Sequence, residues 1–474
     1  MGRLSNVTPK PDARFKDRVN RLLALLLLVS FIKGVMFVSI VPPWQAPDEP
    51  KHFEYVARLY NSIRFPNTYI AHMDQQPRII ASMRDFDFWK FGYSNSPPET
   101  SYGFASIWRE SPTQLHRPPL YYAAEMFGYS FVSQRDTATQ LYFLRLESVL
   151  MGVLAVLGAI LTARVLFPGD PLLAVAVPGF VVSLPMPAFL FGSVNSDNLA
   201  NLIAALFILV LTVALRKGLS QGRIFVLLAL LVLGLFTKRT LLFMFPLGLV
   251  TVLLCVSGRI PAVPATRRLV AAVTIPVAAL AVSLPFWNWQ QAGSVFLDRY
   301  MFDSPAAYTL RGFFAQRYTL GEVAGAVGGH LGMLHQSFWA QFGWMNVAFD
   351  EPWYYLLTGI TVLAALGLVL RCFREFKGMH PSQVWQGQVM VLYVISILLL
   401  LSVVLGQAIL ESLPGTQGRY LFPVIIPIAT LFVVGLRELL PRNTRAIGLC
   451  AVIGGFFIFD LASQVYLIVP SFYG

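Results

Sequence analysis

The sequence predicts an all-α polytopic membrane protein, and three observations carry that prediction. The chain of 474 residues is 56% hydrophobic and 13% charged, with a mean hydropathy of +0.62, whereas soluble domains run at roughly 45–50% apolar and about 25% charged. Apolar runs close to the ~20 residues that cross a bilayer recur along most of the length. The short alternating segments of a closed barrel are absent, so helices must satisfy the backbone in lipid.

The first run, 22–41, follows Arg14, Lys16, Arg18 and Arg21. Charge followed by apolar residues is also the order of a secretory signal, but this run is too long and no A-x-A-like site follows it. It therefore reads as an uncleaved first span. Further runs near 146–166, 172–191, 198–215, 223–237, 240–257, 268–286, 353–371, 388–408, 421–438 and 445–468 give about eleven spans in a single transmembrane domain, 1–474.

Orientation follows from the basic residues beside the spans. With the N-terminus in the cytoplasm, the short inside loops carry Arg164; Arg216, Lys217 and Arg223; Arg259, Arg267 and Arg268; Arg371, Arg374 and Lys377; and Arg437, Arg442 and Arg445. Counting the apolar stretch from Pro118 to Ser133 as a crossing would move several of these clusters outside. That stretch is short for a span and contains Glu125, so it reads as a juxtamembrane or re-entrant helix. Two large extracytoplasmic segments result, 42–145 and 287–352, and function is expected there. Trp287, Trp289, Trp339, Trp344 and Trp353 suit helices lying at the headgroup level.

The formal net charge of +12 fits basic inside loops and anionic lipid. No basic patch with interleaved aromatics lies on a soluble segment, which argues against a nucleic-acid partner. Cys255, Cys372 and Cys450 lie in or beside apolar runs and form neither a disulfide framework nor a zinc spacing.

Just outside the first span the chain reads Val41-Pro-Pro-Trp-Gln-Ala-Pro-Asp48-Glu49-Pro50-Lys-His52. The prolines end one helix and start another, with Asp48 or Glu49 placed to cap it. Capping needs one carboxylate. A pair at the membrane face, with His52 following Asp48 by one helical turn, has room for acid–base chemistry or for a divalent cation.

With this motif in place, the sequence resembles the GT-C superfamily of membrane glycosyltransferases, in a bacterial branch of large predicted membrane proteins. The resemblance rests on an ordered set. It runs from Pro-Asp48-Glu49-Pro-x-His52 through His116-Arg117-Pro-Pro-Leu-Tyr-Tyr, Arg145-Leu-x-Ser and Asn195-Ser-Asp197 to Thr237-Lys238-Arg239 and Gly418-Arg419-Tyr420-Leu-x-Pro. It implies a sugar donor carried on a polyprenyl phosphate and an active site on the extracytoplasmic side of a bacterial inner membrane. The acceptor is then an envelope glycan or a lipid-linked glycan, and membrane lipid is the other partner. Asp48 would be the general base, with Glu49 or Asp197 supporting it or a metal, Mg or Mn. This sequence lacks the large soluble C-terminal domain of some members, which puts in doubt any analogy to oligosaccharyltransferases acting on protein.

The chemistry asks for the same groups independently. Displacing a polyprenyl phosphate from an anomeric carbon develops negative charge on the phosphate and removes a proton from the acceptor hydroxyl. A base and a cationic clamp are the minimum. The candidate clamps are Lys238 and Arg239, Arg419 beside Tyr420, and His116 with Arg117, with arginine offering a planar fork and lysine a point charge. Asn195 and Asp197 are equally placed to be helix caps. His330 and His335 lack the spacing of a paired metal site. The competing readings are a transporter or flippase for lipid-linked sugars, which expects charges facing one another near mid-membrane and often a repeat, and an enzyme moving whole glycans, centred on a long outer loop between late spans.

Overall fold

The computed structural model describes residues 13–64, 75–91, 104, 107, 117–256, 320–376, 384–410 and 416–474. The expected span 268–286, the stretch 287–319 and His116 lie outside the described residues. In chain order the helices are α1 (Ala13–Ile40), α2 (Glu49–Arg64), α3 (Gln76–Asp85), α4 (Leu120–Val132), α5 (Thr137–Leu166), α6 (Pro171–Ser183), α7 (Pro185–Phe191) and α8 (Asp197–Lys217). They continue with α9 (Gln221–Leu235), α10 (Met244–Val256), α11 (Leu320–Trp339), α12 (Glu351–Phe376), α13 (Val384–Leu410), α14 (Ile425–Leu439), α15 (Arg445–Ala462) and α16 (Val469–Tyr473). A hairpin of two-residue strands, Gln341–Phe342 against Val347–Ala348, follows α11.

Among the described residues, 7 helices are long and apolar enough to cross a membrane: α1, α5, α8, α12, α13, and the stretches Gly418–Leu439 and Arg445–Tyr473 that contain α14 and α15. The pair α6 and α7, bent by 64° at its junction, is long and apolar enough to make an eighth if it counts as one span, and α9 and the stretch Arg239–Leu254 containing α10 are shorter apolar helices. Seven of the expected spans fall on these long helices and 172–191 on the bent pair, whereas 223–237 and 240–257 fall on the shorter helices α9 and α10, of 15 and 13 residues. The stretch from Pro118 to Ser133 forms α4, of 13 residues, too short to cross a bilayer. It packs between α2 and α5, with Phe127 and Phe131 on its exposed face.

The run 172–191 is a broken helix rather than one straight span, because Pro185 and Pro187 follow Leu184 and interrupt the backbone ladder. The break leaves carbonyls in the bundle interior. Lys33 of α1 answers them, donating to the Val182 carbonyl at 2.6 Å and the Leu184 carbonyl at 3.1 Å while pairing with Asp460 of α15 at 3.1 Å. Both side chains are buried, and an intramembrane charge is tolerated where such partners surround it.

Two apolar cores result. The larger fills the bundle, and a second lies under the 42–145 segment, where Trp44, Phe53, Phe88, Tyr121, Tyr122 and Tyr129 pack against the start of α5. Trp339 departs from the headgroup placement expected for it. It is buried in the larger core, stacked on Phe456 with ring centroids 5.5 Å apart. Trp353 is exposed as expected, and Trp287 and Trp289 lie outside the described residues.

Helices α12 and α14 meet backbone to backbone. A Cβ built on Gly367 would lie 1.9 Å from the Gly435 carbonyl oxygen, and one on Gly435 would lie 2.0 Å from that of Ala364. Small residues are what permit this approach where no hydrophobic force drives helices together in lipid. Gly435→Val is therefore expected to lower stability by about 1–3 kcal/mol, the usual cost of overpacking. Thermal melting of the purified protein in detergent checks this, with the lipid-facing change Val391→Leu as the silent control.

Candidate active site

The site is built on the loop from Val41 to Asp48, between α1 and α2. Its backbone is unusual for residues with side chains, since Trp44 and Asp48 have φ of 71° and 63°, a region that costs on the order of 1–2 kcal/mol per residue. Arg145 of α5 holds it there. Its Nη1 donates to the carbonyls of Val38 and Val41 at 3.3 and 2.7 Å, and its Nη2 to that of Pro42 at 3.0 Å. Its Nε and Nη2 also grip the two oxygens of Glu49 at 2.8 and 2.7 Å. All five donors of the guanidinium are thereby used.

Glu49 departs from the catalytic pairing with Asp48 that the sequence suggested. Its side chain is 0% exposed, and besides Arg145 it accepts from the Trp44 and Val194 main-chain N–H groups, each at 3.1 Å. With four hydrogen bonds accepted, the carboxylate has no position left for a metal. Adjacent residues point to opposite sides because Asp48 takes the left-handed conformation while Glu49 begins α2.

Asp48 faces a cationic cluster. Its side chain is 31% exposed, and although its main-chain carbonyl starts α2, its carboxylate accepts from Arg419 Nη2 at 2.7 Å. Arg419 also donates to the Pro47 carbonyl at 3.4 Å, and its Nε lies 3.7 Å from Asp197 Oδ2. Lys238 Nζ donates to the other Asp197 oxygen at 2.5 Å. Asp197 opens α8, where its own N–H is taken by Asn195 Oδ1 at 2.9 Å, so Asn195 supplies the turn and leaves the Asp197 carboxylate for the cations. The Tyr420 ring lies under both charges, 5.2 Å from Lys238 and 5.4 Å from Arg419.

Gly418 makes this approach possible. A Cβ there would lie 2.1 Å from the Phe338 main-chain nitrogen, and the Gly418 N–H donates to Ser337 Oγ at 2.7 Å. The turn Gly418–Val424 is thus pressed against α11 and α8, which carries Arg419 to Asp48 and Asp197.

The electrostatics separate the titratable groups. Burial alone would raise the Asp48 carboxyl, but Arg419, His52 and Lys51 together hold it well below the usual carboxylate range. Burial keeps His52 well below the ordinary histidine value, with Asp48 opposing and Lys238, Arg419 and Arg117 adding to the effect. His52 is thus a neutral ring at neutral pH, its Nδ1 2.8 Å from the Tyr122 hydroxyl. Burial pulls Lys238 below the ordinary lysine value against the attraction of Asp197.

Arg117 lies close enough for its charge to act on His52 and Lys238, and its carbonyl accepts from the Tyr55 hydroxyl at 3.1 Å. Arg239 is buried in the 3-10 turn after Lys238. His116 lies outside the described residues. The structure therefore brings together Asp48, His52, Arg117, Asp197, Lys238, Arg419 and Tyr420, and it assigns Glu49 to Arg145.

A divalent cation does not fit the expected ligand set. Mg²⁺ and Mn²⁺ need several free oxygen ligands, yet Glu49 is spent on Arg145, and Asp48 and Asp197 flank a guanidinium. Among the described residues no three of His, Cys, Asp and Glu come together to hold a metal ion.

The chain belongs to the DUF2142 family of predicted membrane proteins, which it matches over residues 31–428. No curated protein matches the sequence significantly. Among solved structures it is similar to the Archaeoglobus fulgidus oligosaccharyltransferase in complex with Zn and sulfate, at a TM-score of 0.48 and 16% identity over 94% of this chain and 53% of that one. The archaeal oligosaccharyltransferase AglB from Archaeoglobus fulgidus, in complex with an inhibitory peptide and a dolichol-phosphate, matches at 0.47 and 14% identity, over 97% of this chain and 56% of that one. ArnT from Cupriavidus metallidurans bound to undecaprenyl phosphate matches at 0.42 and 12% identity, over 96% of this chain and 74% of that one. The chain spans about half the length of the oligosaccharyltransferases it matches.

The two neighbouring carboxylates are expected to separate on mutation. Glu49→Gln leaves Arg145 a buried charge without its counter-ion and should cost on the order of 3–5 kcal/mol. Asp48→Asn keeps a side chain that tolerates positive φ and leaves Arg419 with Asp197 still beside it, so it should cost less than the Glu49 change. The Asp48 contribution is fully present above the ordinary carboxylate value and is lost only as pH falls through its depressed one. Melting temperatures of the two variants at neutral pH decide it, and equal losses would contradict the assignment.

Proposed function

We propose that the protein is a GT-C-type glycosyltransferase that moves one sugar from a polyprenyl-phosphate donor to an envelope glycan or lipid-linked acceptor, on the extracytoplasmic side of a bacterial inner membrane. The observation that carries this reading is the convergence of one reachable carboxylate, Asp48, with Arg419 and Lys238 from distant parts of the chain. It supplies the base and the cationic clamp that the displacement needs.

In the proposed step the acceptor oxygen attacks the anomeric carbon while the bond from that carbon to the phosphate oxygen breaks. The hydroxyl proton passes to Asp48, and the polyprenyl phosphate leaves with the bonding pair, its charge met by Arg419 and Lys238. A single displacement inverts the anomeric centre. Paired with Arg419, Asp48 is a poor proton acceptor. A donor phosphate that draws the guanidinium onto itself would release Asp48 and restore its basicity, so donor binding would switch on the base. His52, Arg117 and Tyr420 line the same site, and the single-sugar reading rests on the sequence resemblance.

The sidedness draws support from the helix ends. Arg164, Arg216, Arg223, Arg374, Arg437 and Arg445 stand at the ends of their helices away from Asp48 and Arg419, as expected if that face is cytoplasmic.

Asp48→Asn is expected to abolish transfer of radiolabelled sugar from a polyprenyl-phosphate donor while donor binding survives, whereas normal turnover would remove Asp48 from the role of base. Arg419→Ala is expected to weaken donor binding by about 1.5–3 kcal/mol per lost charged hydrogen bond, read by titration with the labelled donor. Unchanged affinity would reassign Arg419 to structure.

The pH profile offers a separate check. Lys238 must be protonated to hold phosphate, and its value is lowered by burial, so kcat/KM should fall on the alkaline side at a pH below the ordinary lysine value of about 10.4. Lys238→Arg should move that limb out of range. Asp48 and His52 should contribute no acid limb between about pH 5 and 8, given ordinary values near 3.9 and 6.5 that both shift downward here.

A further inference from the structure

At the end of the bundle away from Asp48, a groove of about 440 Å³ opens between α5, α8 and α9. Its depth is apolar, walled by Leu161, Val210, Val213 and Val226, and Arg164, Arg216 and Arg223 line it from three helices. Its level in the membrane follows from helix geometry. Arg145 and Arg164 on α5, and Asp197 and Arg216 on α8, are each nineteen residues apart, so the groove lies about 28 Å from the site at 1.5 Å per residue. That is about one hydrocarbon thickness.

These three arginines differ from their neighbours at the same end. Arg437 pairs with Asp170, and Arg374 and Arg445 both pair with Glu438. Among the described residues, Arg164, Arg216 and Arg223 bond only to neutral groups. Arg164 donates to Asn20, and Arg223 to the carbonyls of Lys217 and Gly218. Arg216 donates to the Val165 carbonyl at 3.1 Å and lies over the Trp385 ring at 5.7 Å. A guanidinium has five donors, so each is held in place with most of its donors unused.

We propose that this groove binds an anionic phospholipid of the cytoplasmic leaflet, its phosphate among the three guanidinium groups and its acyl chain along the valine wall. Charge complementarity selects the headgroup, since three cations with no carboxylate partner among the described residues favour a net-negative phosphate over a zwitterionic lipid. The apolar wall beneath selects a lipid over a free anion. This site is independent of the glycosyl-transfer reading, because it lies a membrane thickness from Asp48 and its test reads lipid binding alone.

The full-length protein, purified in a neutral detergent, is titrated with phosphatidylglycerol, cardiolipin, phosphatidylcholine, undecaprenyl phosphate and inorganic phosphate, with bound lipid counted by native mass spectrometry. Phosphatidylglycerol and cardiolipin are expected to remain bound where phosphatidylcholine does not, and inorganic phosphate is expected not to displace them. At the energy typical of one basic residue near an anionic surface, each Arg→Gln change should weaken binding about fivefold, and Arg164→Gln, Arg216→Gln and Arg223→Gln together about a hundredfold. Val226→Trp keeps every charge while filling the groove, so it should also displace the lipid, and it carries the test alone if the triple variant does not fold. Equal retention of phosphatidylcholine, or unchanged binding in Val226→Trp, would overturn the proposal. So would displacement by inorganic phosphate, which would mark a simple anion site, or by undecaprenyl phosphate in preference to both phospholipids.

Discussion

The ion pair between Arg145 and Glu49, with both side chains 0% exposed, is the constraint on which the candidate site depends. A charge taken out of water is tolerated only when its partner and its remaining donors are all satisfied. Arg145 meets that condition with two carboxylate oxygens and three main-chain carbonyls. In doing so it folds the end of α1, the following loop and the start of α2 around itself. The positive φ angles at Trp44 and Asp48 are stable because this net over-determines them. Glu49 is consequently turned inward and Asp48 outward, toward Arg419.

A second polar contact does comparable work deeper in the bundle. Lys33 and Asp460 sit where the break between α6 and α7 leaves carbonyls facing the interior. Charges facing one another within a membrane are also what a transport pathway would show. Here Lys33 is engaged by the Val182 and Leu184 carbonyls as well as by Asp460, which fits a support for the bent helix. That helix leads directly to the turn carrying Asn195 and Asp197, so the support and the site belong to one continuous construction.

Much of the fold was legible because hydropathy reports burial in lipid directly. Spans such as 146–166 and 198–215 needed only length and apolar content. The bend in 172–191 had its signal in Pro185 and Pro187, but a window average erases it. Trp339 was misplaced because an amphipathic ring at the end of a helix looks alike whether the neighbouring surface is lipid or Phe456. At the site, Asp48, Asp197, Lys238 and Arg419 stood out as charges at the ends of apolar runs, which sequence reveals well. The division of labour between Asp48 and Glu49 did not, because it is set by Arg145, ninety-six residues away, and by one left-handed residue. Local pattern carries no trace of either.

The central claim is that a lipid phosphate takes the place of Asp48 on Arg419. The most direct measurement is a structure of the protein in lipid nanodiscs with a non-transferable phosphonate analogue of a polyprenyl-phosphate sugar. Phosphorus density in contact with Arg419 and Lys238, with the Asp48 carboxylate released toward the anomeric carbon, is the predicted result. An analogue bound elsewhere while the Asp48–Arg419 contact stays closed would contradict the account.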